Sequence, residues 1–289
     1  MQAHRSQITE RVALPPHAYF AVSAVFHYLG PALAVLLFAQ VGVLGVAWLR
    51  IASAAAVFAV WRRPWRVFRE GNWRQRRLLL ALGVTLGLMN ASFYLAIARL
   101  PLGTVGAIEF LGPIILAAVG ARTGRNVGAL GLAVTGGALL TDVRLGGQPL
   151  GFLFAFANGA CFMLYVVLGH RIARDGGRAG IDRLGVALLI ALLTITPLGL
   201  GAALPAFTNA QLLLAGIGVG VCSSVIPYIT DQLAMARLPR ATFALLLALL
   251  PAMAALIGAL VLRQFPAPAE VAGIALIMSG VAIHREPAS

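Results

Sequence analysis

The 289-residue sequence contains no lysine, and only 11% of its residues are charged, compared with roughly 25% in soluble domains. Without lysine there is no phosphate-binding loop of the G-x-x-x-x-G-K-[ST] type, which argues against a nucleotide-driven pump. Acidic residues are also scarce, with nine against 22 arginines. The composition therefore excludes an ordinary soluble domain.

Cysteine and histidine are sparse as well. Cys161 and Cys222 lie inside apolar runs and are predicted to be small packing residues rather than a disulfide or metal ligands. The five histidines form no H-E-x-x-H or similar set, and they lie at positions 4, 17, 27, 170 and 284. We expect no metal, no cofactor and no enzymatic activity. His27 is predicted to be a packed residue rather than a proton relay.

Long apolar runs are what the sequence has in abundance, with 60% hydrophobic residues and a mean hydropathy of +0.91. Each run of about 20 residues can cross a hydrocarbon layer of ~30 Å as a helix. The first run lacks a cleavage site of small residues and is expected to remain as the first helix. After a tail at 1–16, ten transmembrane helices are predicted: 17–38, 42–61, 77–98, 102–121, 126–141, 149–172, 183–203, 209–236, 240–262 and 267–284.

The arginines indicate how these helices are oriented. With the N-terminus in the cytoplasm, 18 of them lie on the cytoplasmic side and three, Arg99, Arg144 and Arg263, on the other. This split is typical of a multi-pass protein of the bacterial inner membrane, because cytoplasmic loops carry the excess of basic residues. Both termini are then cytoplasmic. The net charge of +13 is thereby explained by contact with the lipid bilayer, and no nucleic-acid partner is expected.

The sequence also repeats itself. Residues 96–101 (AIARLP) return as 234–239 (AMARLP) at an offset of 138, and 44–47 (LGVA) return as 184–187 at an offset of 140. The chain is therefore divided into two copies of one unit, 17–141 and 149–284. Because each copy has five predicted helices, an odd number, the second must enter the membrane inverted. The predicted fold is an all-α polytopic membrane protein with ten helices in two inverted five-helix repeats, an architecture of secondary transporters.

Two charges lie inside predicted helices. Glu109, in helix four, is a candidate for binding an amino-bearing solute or for coupling transport to protons, since a charge in hydrocarbon costs at least a few kcal/mol. Its structural alternative is a carboxylate paired with Arg50 of helix two. Arg50 could likewise neutralise an acid, bond freed backbone carbonyls between helices, or clamp a substrate carboxylate.

Further polar residues suit either a hydrogen-bonded solute cavity or bonding between helices. Asn90 and Tyr94 share a face of helix three, and Tyr228 and Gln232 occupy the corresponding positions of helix eight. Asp231 is a second candidate acid, close enough to the membrane surface to reach water. Two more candidates share a face of helix six, Asn158 and Tyr165.

Three prolines interrupt predicted helices, Pro113, Pro227 and Pro251. Each removes a donor and frees a backbone carbonyl that another group must satisfy. They are candidate sites of movement, with a static kink as the alternative.

Several strings resemble the drug/metabolite transporter superfamily, in its EamA branch, and within it the threonine and homoserine exporters. They are 89–94 (MNASFY), 99–103 (RLPLG), 107–113 (AIEFLGP), 224–228 (SVIPY), 237–239 (RLP) and 242–243 (TF). The resemblance implies a central cavity and alternating access, with proton-coupled export of small amino acids or related metabolites across the inner membrane. It departs from the exporters at Leu250 and Arg263-Gln264, where they tend to carry acids, and at Asp231, where they usually have Glu.

Other functions remain open at this point. The same fold could export a cationic drug, an aromatic amino acid or a nucleobase, and a passive channel is also possible.

Overall fold

The computed structural model describes residues 15–112, 115, 123–142, 148–173, 178–235, 246 and 249–283. Within these residues every regular element is a helix and no β-strand occurs, which confirms the all-α class. The helices are α1 (Pro16–Val41), α2 (Val43–Arg62), α3 (Trp65–Glu70), α4 (Trp73–Ile97), α5 (Leu102–Glu109), α6 (Gly124–Asp142), α7 (Pro149–Ala173), α8 (Arg178–Phe207), α9 (Ala210–Gly220), α10 (Ile226–Met235), α11 (Leu250–Leu262) and α12 (Pro268–Ile283).

Six of the described segments are long and apolar enough to cross a membrane. They are His17–Val41, Val43–Arg62, Trp73–Ile97, Pro149–Gly169, Gly180–Phe207 and Ala210–Asp231. Helices α11 and α12 are apolar but shorter, so the count of ten spans stays a prediction. Several features singled out in the sequence lie outside the described residues, namely Pro113, the second Arg-Leu-Pro turn and the side chain of Gln232.

The first residues of α4 and α9 are set by asparagine side chains that cap the two helices. Asn72 precedes α4, and its side-chain oxygen accepts from the Gln75 N–H at 2.9 Å while Gln75 Oε1 accepts from the Asn72 N–H at 3.1 Å. This reciprocal cap starts α4 at Trp73, four residues before the predicted start at 77, because it satisfies donors that would otherwise be orphaned. Asn209 caps α9 in a similar way.

A short helix, α3, lies in the basic connection that was predicted to be a loop. Arg76 holds it to the start of α4, because its Nε donates to the Phe68 carbonyl at 3.0 Å and its Nη2 to the Arg69 carbonyl at 2.6 Å. Carbonyls at a helix C-terminus lack partners within the helix, and a guanidinium is well suited to supply them. The arginines of this segment are therefore part of a folded corner.

Small residues bring the helices of the two halves into close contact. The glycines of the repeated LGVA string are Gly45 in α2 and Gly185 in α8. Gly45 lies against the backbone of Ala202, and Gly185 against the side chain of Pro64. Each glycine thus meets the far end of the other helix, so α2 and α8 run antiparallel. Close backbone approach through small residues is how membrane helices gain packing energy without a hydrophobic driving force.

The last helices of the two halves, α6 and α12, pack in the same manner. Gly136 lies against the carbonyl of Gly273, and Gly280 against the carbonyl of Ala129. The early residue of each helix meets the late residue of the other, which again makes the pair antiparallel. A methyl group at Gly136 or Gly280 would collide with backbone, and one at Gly273 would collide with the Leu140 side chain.

One apolar segment is broken by a π turn, Val221–Val225, which joins α9 to α10. The Ile226 N–H donates to the Val221 carbonyl, one residue further back than in an α-helix. Pro227 follows at once and has no N–H to offer to the carbonyl of Ser223, its α-helical partner four residues earlier. We call α9, the π turn and α10 together the broken helix.

Candidate functional site

Arg50 of α2 inserts its side chain against the broken helix and is only 7% exposed. Its Nη2 donates to the Ser223 carbonyl at 3.1 Å, and its Nε donates to Ser224 Oγ at 3.1 Å. The carbonyl is the one that Pro227 leaves without its helical donor. Arg50 therefore bonds a freed carbonyl between helices, one of the arrangements considered from the sequence.

The guanidinium of Arg50 is anchored along one edge only. Both hydrogen bonds use the Nε–Nη2 edge, and its central carbon lies 5.5 Å from the centre of the Tyr94 ring. A guanidinium carries five N–H donors, and the two hydrogen bonds to Ser223 and Ser224 leave three of them for other partners, with the Tyr94 hydroxyl nearby. A guanidinium can hold a carboxylate by two parallel bonds.

Glu109 lies at the end of α5 and is only 5% exposed. Arg50 is near enough to attract its carboxylate, yet the two form no ion pair. An ion pair does join Arg62 to Asp182, with the Nε and Oδ1 atoms 2.6 Å apart. The structural alternative for Glu109, direct pairing with Arg50, does not occur in this structure.

Buried polar atoms without hydrogen-bond partners surround these two charges. Within the described residues they are Tyr28 Oη, Tyr94 Oη, Ser223 Oγ and both side-chain polar atoms of Asn158. Native proteins bond the large majority of their buried polar atoms, so each exception requires an explanation. Together with Arg50 and Glu109 these four residues form what we call the buried polar cluster.

Contacts with α5 place Asn158 and Tyr28 near Glu109. Gly159 of α7 lies against the backbone of Ile108 and Glu109, which brings the neighbouring Asn158 amide close to the Glu109 carboxyl group. The Tyr28 hydroxyl of α1 lies beside Gly106 and interacts electrostatically with Glu109. Five helices and the π turn thus contribute to one cluster.

Tyr228 extends the cluster along α10. It interacts electrostatically with Arg50, Glu109 and Asp231, and Tyr165 of α7 interacts with Tyr228 and Asp231. The structure therefore brings together most of the residues singled out in the sequence. Asn90 is also buried, but its Nδ2 donates to the Leu86 carbonyl of its own helix at 2.8 Å.

Aromatic rings line the side of the cluster next to Glu109. The rings of Phe110 and Phe162 have their centres 5.9 Å apart, and Phe162 stacks on Tyr165 with centres 6.2 Å apart. Such contacts contribute packing energy beyond burial alone and fix the orientation of the rings. They provide an apolar wall beside the charged groups.

Two residues of the cluster, Tyr28 and Ser223, and the neighbouring Ser224 were not predicted as site residues. Tyr28 sits within an apolar run, where a tyrosine is indistinguishable from a packing residue. Ser223 and Ser224 had one usable signal, their position just before Pro227, since a proline frees the carbonyl four residues earlier. His27, predicted to be packed, places its ring edge-on to Tyr28 with centres 5.1 Å apart.

The cluster offers opposite charges and hydrogen-bonding groups that can recognise a solute. Among the described residues no group of histidine, cysteine and carboxylate side chains could hold a metal ion. Apolar spans packed around buried, partly unsatisfied polar groups are the arrangement of a multi-pass membrane transporter.

Comparison with known proteins agrees with this class. No family model matches the chain. The threonine/homoserine exporter RhtA of Salmonella typhimurium strain LT2 is 34% identical over 271 residues, covering 89% of this chain and 88% of the relative. The Escherichia coli K12 protein of the same name is 33% identical over 258 residues, covering 86% and 84%. The chain belongs to this RhtA family of drug/metabolite transporters.

A solved crystal structure supports the fold alone. It is 21% identical and aligns with a TM-score of 0.53 over 92% of this chain and 96% of its own.

Proposed function

We propose that the protein exports a small zwitterionic amino acid of the threonine or homoserine type across the bacterial inner membrane, and that the solute binds in the buried polar cluster. The observation that carries this proposal is the pair of opposite charges left unpaired there. Arg50 has N–H donors beyond its two hydrogen bonds to the broken helix, and Glu109 is buried without an ion-pair partner among the described residues.

A zwitterion matches this arrangement group for group. Its carboxylate would take the Nη1–Nη2 end of Arg50 and its ammonium the Glu109 carboxylate. A side-chain hydroxyl could then satisfy the orphaned amide of Asn158 or hydroxyl of Tyr94. Burying the two solute charges is tolerable only when each is paired, which favours solutes carrying both.

Proton coupling follows from the same charges. When the solute leaves, the Glu109 carboxylate loses its ammonium partner inside an apolar environment, where an isolated charge is costly. A proton would neutralise it. If Glu109 carries either the solute or a proton as the site changes sides, solute export is exchanged for proton entry.

In many transporters alternating access uses two halves of opposite orientation. Two observations support ten helices in inverted repeats: the sequence repeats at offsets of 138 and 140, and the corresponding helices α2 and α8 pack antiparallel. Helices α5 and α11 also meet antiparallel, with Gly103 against Ala255 and Gly258 facing Leu102. Exchange of two such halves opens a central site to one side and then the other.

Vesicles reconstituted with the purified protein test the proposed function. Labelled threonine and homoserine are loaded, a pH gradient is imposed, and efflux is followed against protein-free vesicles. We expect uphill efflux that collapses when a protonophore removes the gradient. Downhill flux alone would indicate a passive channel, and no flux of either amino acid would contradict the solute assignment.

A second candidate solute is an aromatic amino acid. The ring contacts of Phe110, Phe162 and Tyr165 beside Glu109 favour it, because an aromatic side chain would stack against such a wall. Adding labelled phenylalanine and tryptophan to the same vesicles separates the two possibilities by the relative rates of efflux.

Labelling of single cysteines tests the inverted topology. In a background lacking Cys161 and Cys222, Ala98→Cys and Arg240→Cys place probes beside the two Arg-Leu-Pro turns. Ala98 is chosen because it is exposed, whereas a side chain at Gly103 would collide with Ala255. We expect an impermeant thiol reagent to reach the two probes from opposite faces of the membrane, and labelling from one face would contradict the inverted repeat.

A further inference from the structure

A surface depression lies at the beginning of α4, and none of its lining residues belongs to the buried polar cluster. The depression has a volume of about 300 Å³ and is lined by Trp73, Arg74, Arg77, Leu78 and Ala81. This volume is at the lower end of the roughly 300–1,000 Å³ typical of small-molecule sites. Its two arginines are exposed, while its floor is apolar.

The same helix face continues as an apolar stripe. Leu80, Val84 and Leu88 follow Arg77 at helical spacing, and each is more than 40% exposed. In a membrane protein an exposed apolar stripe of this kind faces acyl chains. Trp73 is 71% exposed at the end of the stripe, the position that tryptophan favours at the boundary between hydrocarbon and headgroups.

The depression is held in shape by the contacts around it. The Asn72–Gln75 cap fixes the first turn of α4, and Arg76 ties that turn to α3. The Arg77 guanidinium lies 5.9 Å from the centre of the Trp73 ring, a cation–π contact that orients both groups. The Trp73 and Arg77 side chains are thus positioned before any ligand arrives.

The charge of the site is not balanced by the protein. Arg62 takes the acid at the start of α8, Asp182, whereas neither Arg74 nor Arg77 forms an ion pair within the part of the chain that the structure describes. An anion is therefore the complementary ligand. Clusters of basic residues next to a membrane helix attract anionic headgroups in this way.

We propose that this depression binds the phosphate group of an anionic phospholipid, held between Arg74 and Arg77, with an acyl chain along the Leu80–Leu88 stripe. Arginine suits phosphate because its planar donors form paired hydrogen bonds. The adjoining apolar stripe favours a lipid over a free phosphate anion, which would gain nothing from it. The inference rests on this surface alone and is independent of the solute that the protein exports.

Fluorescence quenching of Trp73 tests the proposal. A protein retaining Trp73, with Trp48, Trp61 and Trp65 replaced by Phe, is reconstituted in phosphatidylcholine containing a small fraction of brominated phosphatidylglycerol or, separately, of brominated phosphatidylcholine. We expect the anionic quencher to be about threefold more effective. The double variant R74Q/R77Q should respond equally to both lipids.

A matched variant separates a defined site from diffuse attraction. R66Q/R69Q removes the same charge from the exposed face of α3, outside the depression, and should keep the preference for phosphatidylglycerol. Loss of the preference in both double variants, or its absence in the parent, would overturn the proposal. So would competition by millimolar glycerol phosphate, which would assign the site to free phosphate esters.

A second measurement needs no tryptophan replacement. Native mass spectrometry of the full protein with added phosphatidylglycerol counts the lipids retained on each molecule. We expect R74Q/R77Q to retain fewer than the parent and R66Q/R69Q to retain as many, and equal retention by both variants would contradict the site.

Discussion

Helix α4 and the broken helix each lead into one of the two repeated strings, 96–101 and 234–239, but they are built differently. The repeat offset of 138 places Pro227 opposite Met89 of α4. Helix α4 runs without interruption from Trp73 to Ile97, whereas its counterpart changes to a π turn at Val221–Val225. A continuous helix is therefore compatible with the shared unit, and the break is specific to the second copy.

The residues that contact these two helices from α2 and α8 also differ. At the offset of 140, Arg50 of α2 corresponds to Ile190 of α8. Ile190 packs against Gly83 of α4, while Arg50 bonds the freed carbonyl and hydroxyl of the broken helix. One of the two equivalent contacts is apolar and the other is charged. Since the fold tolerates the apolar version, the charged one is better explained by a task than by packing.

Replacing the charged contact of Arg50 by an apolar one like that of Ile190 should have the largest effect on transport. Arg50→Ile copies the residue at position 190 and removes both the proposed carboxylate clamp and the partner of the Ser223 carbonyl. We expect transport to fall about a hundredfold or more, and an unsatisfied buried carbonyl to cost about 1–3 kcal/mol of stability. Vesicle efflux and thermal unfolding in detergent measure the two effects separately.

Arg50→Lys is the control, because it keeps the charge but loses the planar pair of donors. It should fold better than Arg50→Ile and still transport poorly. Efflux at the parental rate in Arg50→Ile would remove Arg50 from the mechanism.

Glu109 extends the comparison, because its counterpart at the offset of 138 is Leu247. Glu109→Gln keeps the shape of the side chain and removes its charge. We expect a normally expressed, monodisperse protein whose efflux is reduced about tenfold or more and whose remaining efflux no longer follows external pH in the parental way. Efflux rates at a series of pH values measure both effects.

Two other results would change the interpretation of Glu109. Unchanged rates and an unchanged pH profile would exclude the functional role. Failure to fold, shared by Glu109→Gln and Arg50→Ala, would instead favour electrostatic support of the scaffold.

Much of the fold could be predicted from the sequence, because membrane-spanning segments are recognisable by their length and hydrophobicity. Apolar runs of helical length and the distribution of arginine predicted an all-helical, multi-pass protein, and the predicted starts of α5 and α7 agree with the structure to the residue. The start of α4 was missed because Arg74, Arg76 and Arg77 read as loop, whereas the Asn72 cap draws them into the helix.

The buried polar cluster could be predicted from the sequence only in part. Arg50 and Glu109 stand out because charges are rare in apolar runs, and Pro227 marks the freed carbonyl that Arg50 satisfies. The contribution of Tyr28 could not be predicted, because nothing in the apolar sequence around it distinguishes a residue of the polar cluster from a residue of the packed core. A π turn differs from an α-helix by a single inserted residue, and no local sequence feature other than Pro227 indicates it.

A smaller effect is expected from the serine that holds the Arg50 guanidinium. Ser224→Ala removes the hydroxyl that accepts from Nε, and hydrogen bonds to charged groups contribute about 1.5–3 kcal/mol. With the Ser223 carbonyl still in place, we expect a KM for efflux raised severalfold and a maximal rate close to that of the parent.

Ser279→Ala serves as the matched control for this serine, because that hydroxyl bonds only the Ala275 carbonyl of its own helix at 2.8 Å. Its kinetics should equal those of the parent. An unchanged KM in Ser224→Ala would mean that Ser224 does not position Arg50 for the solute.

The smallest effect, and the sharpest for the comparison, is expected from Pro227→Met, which gives the broken helix the residue that α4 has. Methionine restores an N–H that can donate to the Ser223 carbonyl, so that carbonyl no longer depends on Arg50. Restoring one hydrogen bond is worth about 1 kcal/mol, and loss of the proline's restraint on the unfolded chain offsets part of it. Stability should therefore stay within about 1 kcal/mol of the parent.

The same substitution should also affect transport. The new N–H competes with Arg50 for the Ser223 carbonyl, so that Arg50 is held mainly by Ser224, and we expect efflux to slow about threefold to fivefold. Thermal unfolding and initial efflux rates measure the two quantities on the same preparation. A large loss of stability would mean that the π turn is required by packing, and parental efflux would mean that the difference between the two helices has no part in transport.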